Sequence, residues 1–300
     1  MDKKRLVMCT SSGCIEYAPE RYRNLGIEFF RILVFYDDKE FHEGLDLDPW
    51  HFFEYERTVK DPKNHLPHSS IPGREEVEKK FEEIIERGYE EVIVVTLSTG
   101  LGVMHDFIEQ VAADYKDKLT VHVIDTRRTC FVEGMIAIQA QELVNKGVPT
   151  DEILKELNSS IKHSAFYGID AKLDYLIYNG RLRGGKAFFG KLLKVVPALK
   201  FSDDGHIDGF ASTTSIKKSA VLCAKEIKAL IGDRKPEEYT LFHIYTGEGS
   251  DAPLAPAEEE VGLTPNHEAV IASPVTGVHT GPEMAGWGLV LKRRADEPLE

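Results

Sequence analysis

Through the first half of the chain, short and largely apolar runs alternate with amphipathic stretches of helical period. Arg5 to Cys9, Phe30 to Tyr36, Glu91 to Leu97 and Leu119 to Ile124 predict strands, and their near-continuous apolar character is that of strands covered on both faces. Arg74 to Arg87 carries Val77, Phe81, Ile84 and Ile85 on one helical face, and Gly134 to Lys146 carries Met135, Ile138 and Leu143. Strands alternating with helices predict a parallel α/β sheet. Ligands bind such sheets beyond the carboxyl ends of the strands, so a site is expected in the loops after Cys9, Leu97 and Ile124.

A second unit begins near Phe166. Leu173 to Tyr178 has the pattern of a helix end, and Asp203-Asp204-Gly205 between apolar runs predicts a hairpin turn. Ser215 to Leu230 predicts an amphipathic helix, Tyr239 to Tyr245 a strand and Ala257 to Val261 a short helix. Val270 to Ala272 predicts a final buried strand leading into a loop, Gly277-Val278-His279-Thr280-Gly281-Pro282. The acidic run Glu258-Glu259-Glu260 reads as a solvated helix face. There is no internal repeat.

Composition excludes several classes of function. With 300 residues, 42% hydrophobic and 29% charged, the chain is an ordinary globular sequence long enough for two domains or one large α/β domain. A formal charge of -13 repels nucleic acid and anionic lipid surfaces, and Lys217-Lys218 and Arg293-Arg294 are too small to override it. Runs such as Val92 to Val95 fall far short of the roughly 20 apolar residues of a membrane helix, so no stable membrane insertion is expected. The apolar run after Met1-Asp2-Lys3-Lys4-Arg5 ends at Thr10, too soon for a secretory signal, and a cytoplasmic location is expected. Cys9, Cys14, Cys130 and Cys223 form no CxxC and no ligand spacing, which predicts reduced thiols and no metal site.

The candidate chemistry is that of anion binding. Gly277 to Pro282 combines an imidazole, a hydroxyl and two flexible backbone positions, so His279 and Thr280 can donate to a carboxylate or phosphate, or the segment can be a surface turn. Ser69-Ser70-Ile71-Pro72 precedes a helix, where two hydroxyls and free N–H groups suit an anion as well as a helix cap. Ser98-Thr99-Gly100-Leu101-Gly102-Val103 follows a strand in the position of a binding loop. Arg181 lies in a glycine-rich turn, able to clamp an anion or pair with a carboxylate. Gly180 to Lys186 fits GxxxxGK, but Ala187 replaces the hydroxyl that would hold magnesium and no buried strand precedes it, which argues against a nucleotide site. A Ser98, His279, Asp125 hydrolase can be drawn, without a GxSxG elbow.

Taken in order, these segments resemble the DegV family of bacterial fatty-acid-binding proteins, acyl carriers for a fatty acid kinase. Phe41-His42-Glu43-Gly44 resembles its Tyr-x-Asp-Gly segment and Ser69-Ser70-Ile71-Pro72 its Thr-Ser-x-Pro. Ile93 to Leu101 is similar to the strand leading to Ser-Ser-x-Leu-Ser-Gly-Thr, and Val123-Ile124-Asp125-Thr126 to an Asp-Ser strand end. Asp174-Tyr175-Leu176, Gly180-Arg181, Pro197, Asp204-Gly205 and His279-Thr280-Gly281-Pro282 complete the pattern over essentially the whole chain. Two departures stand out: Gly102 replaces the family serine of Leu-Ser-Gly-Thr, and Thr10-Ser11 replaces an N-terminal Asp-Ser.

The resemblance implies an α/β fold of two domains. Residues 1–165 would form a parallel-sheet domain holding the acyl chain, and 166–300 an α/β domain with a mixed sheet supplying Arg181 and the His279 loop. It implies a non-catalytic protein without cofactor or metal that binds a long-chain fatty acid and presents its carboxylate to a separate ATP-dependent fatty acid kinase. The carboxylate would meet Ser69, Ser70, Thr99, Gly102, Arg181, His279 and Thr280. The alternatives are an α/β enzyme acting on a small anionic substrate, or a lipid-sensing module without a kinase.

Overall fold

The computed structural model describes residues 3–61, 65–184 and 195–294. Its first sheet is parallel throughout, in the order β2-β1-β6-β7, with β1 Arg5–Thr10, β2 Glu28–Phe30, β6 Glu91–Thr96 and β7 Thr120–Asp125. Alternate side chains serve opposite faces, as the period of a strand requires. Leu6, Met8, Val92 and Val94 pack on Val77, Phe81 and Ile84 of helix α3 (Arg74–Glu86) and on Met104, Ile108 and Val111 of α4 (Met104–Ala112). Val7, Cys9, Ile93 and Val95 face the other way, with α5 (Cys130–Asn145) and α6 (Thr150–Lys162). Two shorter helices, α1 (Glu20–Arg23) and α2 (Pro49–Thr58), precede α3. A small antiparallel sheet, β4-β3-β5, is made of β3 Leu33–Tyr36, β4 Lys39–His42 and β5 His68–Ser70.

The remaining strands form a mixed sheet in the order β10-β9-β8-β13-β11-β12. These are β8 Ser164–Asp170, β9 Val196–Phe201, β10 Ile207–Thr213, β11 Tyr239–Tyr245, β12 Val270–Ile271 and β13 Met284–Leu291. Only the β11–β12 pair is parallel. One face is covered by α8 (Ile216–Ile231) and α9 (Leu254–Val261); α10 (Pro274–Thr280) packs on α7 (Asp174–Tyr178), on α2 and on β3 and β5 of the small sheet. Phe166, Phe201, Phe242 and Met284 on the other face share a core with Phe131, Val132 and Ile136 of α5. That helix is therefore enclosed between two sheets, and its burial extends round the helix rather than along one stripe.

The structure departs from the sequence pattern in four places. Glu258 of the expected solvated face is buried and accepts from Trp287 Nε1 at 2.7 Å, so that helix turns one carboxyl into the core. The expected strand Phe30 to Tyr36 is two strands in different sheets, because Arg31 breaks the run to pair with Glu16 and donate to Glu43 O. Val270 to Ala272 is not the last strand, since β13 follows it and occupies an interior position of the mixed sheet. Gly277 to Thr280 is not loop but the end of α10, with His279 in its last turn.

A latch joins the two parts of the fold. Ser98 Oγ donates to Gly205 O at 2.7 Å, Arg127 reaches Asp203 O, and the buried Arg128 donates to Ser164 O and Ser202 O at 2.8 and 3.2 Å. The Asp203-Asp204-Gly205 turn thus docks on the loops after β6 and β7. Gly100 is required there, because a Cβ would stand 2.6 Å from Gly205 O.

Candidate functional site

Between the end of β6 and the helices α7 and α10 lies a cavity of about 340 Å³. Its walls are mostly apolar: Ile32, Ile71, Leu97, Leu101, Val103 and Met104 on one side, Leu176, Ile207 and Val275 on the other. Polar groups gather from distant parts of the chain. Ser69 and Ser70 come from β5, Gly102 from the turn before α4, Arg181 from the turn after α7, and Thr276, His279 and Thr280 from α10.

Helix α10 is placed by close packing and one buried carboxyl. A Cβ at Gly277 would stand 2.4 Å from the Phe53 ring and 2.9 Å from Glu56 Oε2, and Gly281, at φ +72°, packs on the Tyr175 ring. These glycines therefore bring the helix against α2 and α7 rather than loosening a loop. Glu43 is fully buried and accepts from Ser11 Oγ at 2.6 Å and from Val275 N at 2.9 Å, which ties the start of α10 to the segment after β1. Burial raises its pKa against these bonds. The segment resembling Tyr-x-Asp-Gly thus anchors the helix that carries His279.

At the polar end, His279 Nε2 lies 3.0 Å from Ser69 Oγ, and its buried Nδ1 has no hydrogen-bond partner. Burial, then the neighbouring Arg181, pushes the imidazole pKa down to about 3, so His279 is neutral. Arg181 is half-buried. Its Nε donates to Leu101 O at 3.0 Å and Nη1 to Asn179 O. Among the described residues no carboxylate lies within ion-pair distance of it, and burial alone lowers its pKa. A guanidinium held beside an apolar cavity, with no counter-ion among the described residues, can take an anion.

Six of the seven residues expected at a carboxylate line this cavity: Ser69, Ser70, Gly102, Arg181, His279 and Thr280. Thr99 does not. Its hydroxyl donates to Asp125 Oδ2 at 2.7 Å and its N–H to Asp125 Oδ1, which also caps Arg127 N. Ser70 Oγ donates to Ile71 O and Thr280 Oγ1 to Thr276 O, so both hydroxyls are already engaged. Thr129 and Thr276 line the cavity without a sequence signal of their own. The Ser98, His279, Asp125 arrangement is not assembled, since Ser98 serves the latch, Asp125 the Thr99 turn and His279 faces Ser69. Gly185, Lys186 and Ala187 of the GxxxxGK match lie outside the described residues. No described helix is long and apolar enough to cross a membrane.

A family model described as an uncharacterised protein, DegV family, matches residues 6–292. A DegV domain-containing protein of Listeria monocytogenes is 28% identical over 286 residues, covering 94% of this chain and 96% of the relative. Another, from Staphylococcus aureus, is 26% identical over 86% of this chain and 88% of its own length. Among solved structures, a fatty acid binding DegV family protein from Streptococcus agalactiae superposes with a TM-score of 0.85 at 22% identity, covering 97% of this chain and all of that one. DegV, a fatty acid binding protein from Bacillus subtilis, gives 0.81 at 25% identity with the same coverage.

Proposed function

This chain belongs to the DegV family, and we propose that it binds one long-chain fatty acid in the cavity beside α10, with the carboxylate at Arg181, Ser69 and His279. The carrying observation is the Arg181 guanidinium, without a carboxylate partner among the described residues, at the polar end of a mostly apolar cavity. Burying about fifteen methylenes contributes roughly 12 kcal/mol before ordering costs. The carboxylate drawn in with them needs donors, or its desolvation offsets that gain. Arg181 supplies charge and the Ser69 hydroxyl a hydrogen bond, while a neutral His279 donates through whichever ring nitrogen carries the proton. Gly102 offers only its backbone, whose N–H already lies 3.3 Å from Ser98 O. In this reading the chain carries the fatty acid and a separate ATP-dependent kinase makes the acyl phosphate. The solved relatives described as binding fatty acids support the ligand class.

The Ser69–His279 contact favours a second reading, an acyl hydrolase with Ser69 as nucleophile. Two features weigh against it. A general base works best with a pKa near the operating pH, whereas that of His279 lies near 3. Its Nδ1 also has no partner to orient the ring.

Mass spectrometry of an organic extract of the purified protein tests the carrier reading. A stoichiometric fatty acid is expected; an extract without acyl chains, together with no binding of added palmitate or oleate, would sink it. Ester turnover abolished by Ser69→Ala would establish the hydrolase instead. Co-purification with a kinase separates a carrier from a lipid sensor.

A further inference from the structure

Three residues of the cavity wall hang from one buried turn outside it. Ile32 joins β2 to β3, Leu97 follows β6 and Val275 stands in the first turn of α10, so none of their backbone N–H groups has a strand or helix partner. Side chains take them instead. Ile32 N donates to Ser11 Oγ at 3.0 Å, Leu97 N to Thr10 Oγ1 at 3.2 Å and Val275 N to Glu43 Oε1 at 2.9 Å. A hydroxyl has one proton and two lone pairs, so it holds an N–H while its own proton points away. Buried carboxyls fix that direction. Ser11 Oγ donates to Glu43 Oε2 at 2.6 Å, and Thr10 Oγ1 to Glu133 Oε1, while Glu133 Oε2 accepts from Ser12 Oγ at 2.9 Å. Thr10, Ser11, Ser12, Glu43 and Glu133 are all buried, and none of them lines the main cavity. The turn Ser11–Gly13 lies so close to α5 that a Cβ at Gly134 would stand 2.2 Å from Gly13 O.

We infer that Ser11 and Thr10 are positioning residues for the acyl cavity, fixing its walls from outside without touching its contents. Ser11 is the centre of this hold. Its one hydroxyl keeps Ile32 in place directly and, through Glu43, the start of α10 with Val275. Two walls are thereby tied to each other, which sets the spacing between them. Thr10 holds the beginning of the turn after β6, which brings Leu97, Leu101 and Gly102 to the cavity. Walls ordered in advance let an acyl chain bury its methylenes without first ordering the protein. Loss of the Ser11 hydroxyl leaves Ile32 N without an acceptor and deprives Glu43 Oε2 of that donor, both in the core. That the contents are a fatty acid rests on the reading above, whereas the hold on the walls does not.

Residue-resolved amide hydrogen exchange on lipid-free protein tests the hold, and palmitate Kd by competition tests its consequence. In Ser11→Ala the Ile32 amide is expected to exchange about 5- to 150-fold faster, the factor that one lost buried hydrogen bond converts to. The Val275 amide speeds up with it as Glu43 is released, while Leu97 keeps the parent rate. Thr10→Val, which keeps the shape and loses the hydroxyl, gives the reverse pattern, and Thr10→Ser restores the parent rate at Leu97. This second pair decides the inference where Ser11→Ala does not fold, since an unchanged Leu97 rate in Thr10→Val overturns it. Ser219→Ala removes a buried hydroxyl that donates to Val196 O at 2.6 Å and does not line the main cavity, and it leaves all three amides unchanged. Palmitate Kd is expected to rise about 5- to 150-fold in Ser11→Ala, because two wall residues then order on binding at about 2- to 13-fold each. Parent rates at Ile32 and Val275 in Ser11→Ala, or acceleration spread equally over β11 and β13, overturn the positioning role. Faster exchange with an unchanged palmitate Kd does so too. A parent protein that binds neither palmitate nor oleate overturns the fatty acid reading, and the exchange pattern still decides whether Ser11 and Thr10 hold the walls.

Discussion

Replacing Arg181 with methionine keeps the side chain's apolar stem and removes its charge. Arg181 is the only charged side chain lining the main cavity among the described residues, and no carboxylate pairs with it. The bound carboxylate in the variant would keep Ser69 and His279 but lose its counter-ion. Two unit charges about 4 Å apart attract by about 4 kcal/mol at the effective dielectric of a protein surface. Truncating one member of such a pair costs about 2–5 kcal/mol when it is fully desolvated. Arg181 is only half-buried, so solvent screening holds the cost to the lower end, about 2–3 kcal/mol, or about a 30- to 150-fold rise in Kd. Competition against a fluorescent fatty acid measures this for palmitate and for methyl palmitate, whose ester has no charge to pair. Palmitate is expected to lose that factor while the ester binds both proteins alike. An Arg181→Met protein that binds palmitate within about threefold of the parent, or that loses the ester equally, would refute a carboxylate at Arg181.

Three further outcomes follow from the same geometry. Gly102 has no left-handed backbone and the nearest atom to a Cβ there is Leu97 Cδ1 at 3.8 Å, so Gly102→Ser fits. It should tighten palmitate binding by about 0.5–1.5 kcal/mol, roughly 2- to 10-fold, through one added hydrogen bond, and a weaker Kd by competition would contradict the placement. With His279 neutral down to a pKa of about 3 and Arg181 charged, palmitate affinity should stay within about twofold from pH 5.5 to 8. Binding that tightens as pH falls through 6 would show that His279 titrates there. Asp170 is buried with Oδ2 unpartnered, and burial raises its pKa from 3.8 to about 7. The folded state therefore binds the proton more tightly, and stability present below pH 3.8 is lost as pH rises to about 7, by about 4 kcal/mol. Asp170→Asn keeps the acceptor for Lys172 N but buries an amide group without a partner, at a cost of about 1–3 kcal/mol. Urea unfolding should show the variant less stable than the parent near pH 4 and more stable at pH 7.5, and a pH-independent difference would refute the assignment.

The parts of the fold that were legible in the sequence are those whose packing is one-sided or uniform. The strands at Arg5 and Glu91 are near-continuous apolar runs because both faces are covered, the edge strand after Leu119 is only half-buried and mixes in Thr120 and His122, and α3 shows its stripe because one face is wet. Strand β13 escaped because it reads Met284-Ala285-Gly286-Trp287-Gly288. A Cβ at Gly286 would stand 2.3 Å from Tyr167 O, and one at Gly288 2.5 Å from the Phe242 ring. Glycine there records close packing against neighbours that only the folded chain supplies. Helix α10 escaped for the same reason at Gly277 and Gly281, although Ser273 followed by Pro274 is a helix-start signal that was present to be read.

The site shows what residue type and order convey and what they omit. Ser69, Arg181 and His279 were visible as groups suited to an anion, and the topology brings them to one cavity from three separate elements. Thr99 carries the same hydroxyl in the same glycine-rich turn, yet successive residues there point to different partners. Ser98 meets the hairpin, Thr99 meets Asp125, and Leu101 and Gly102 meet the cavity. A turn that rotates its side chains in this way assigns roles by backbone direction, which composition does not encode. The same holds for Glu43, whose resemblance to a family motif gave no role until the carboxyl was seen holding Val275 N and Ser11 Oγ. The placement of His279 therefore depends both on a carboxyl distant in sequence, which holds the buried start of α10, and on the close packing that Gly277 and Gly281 allow beside it.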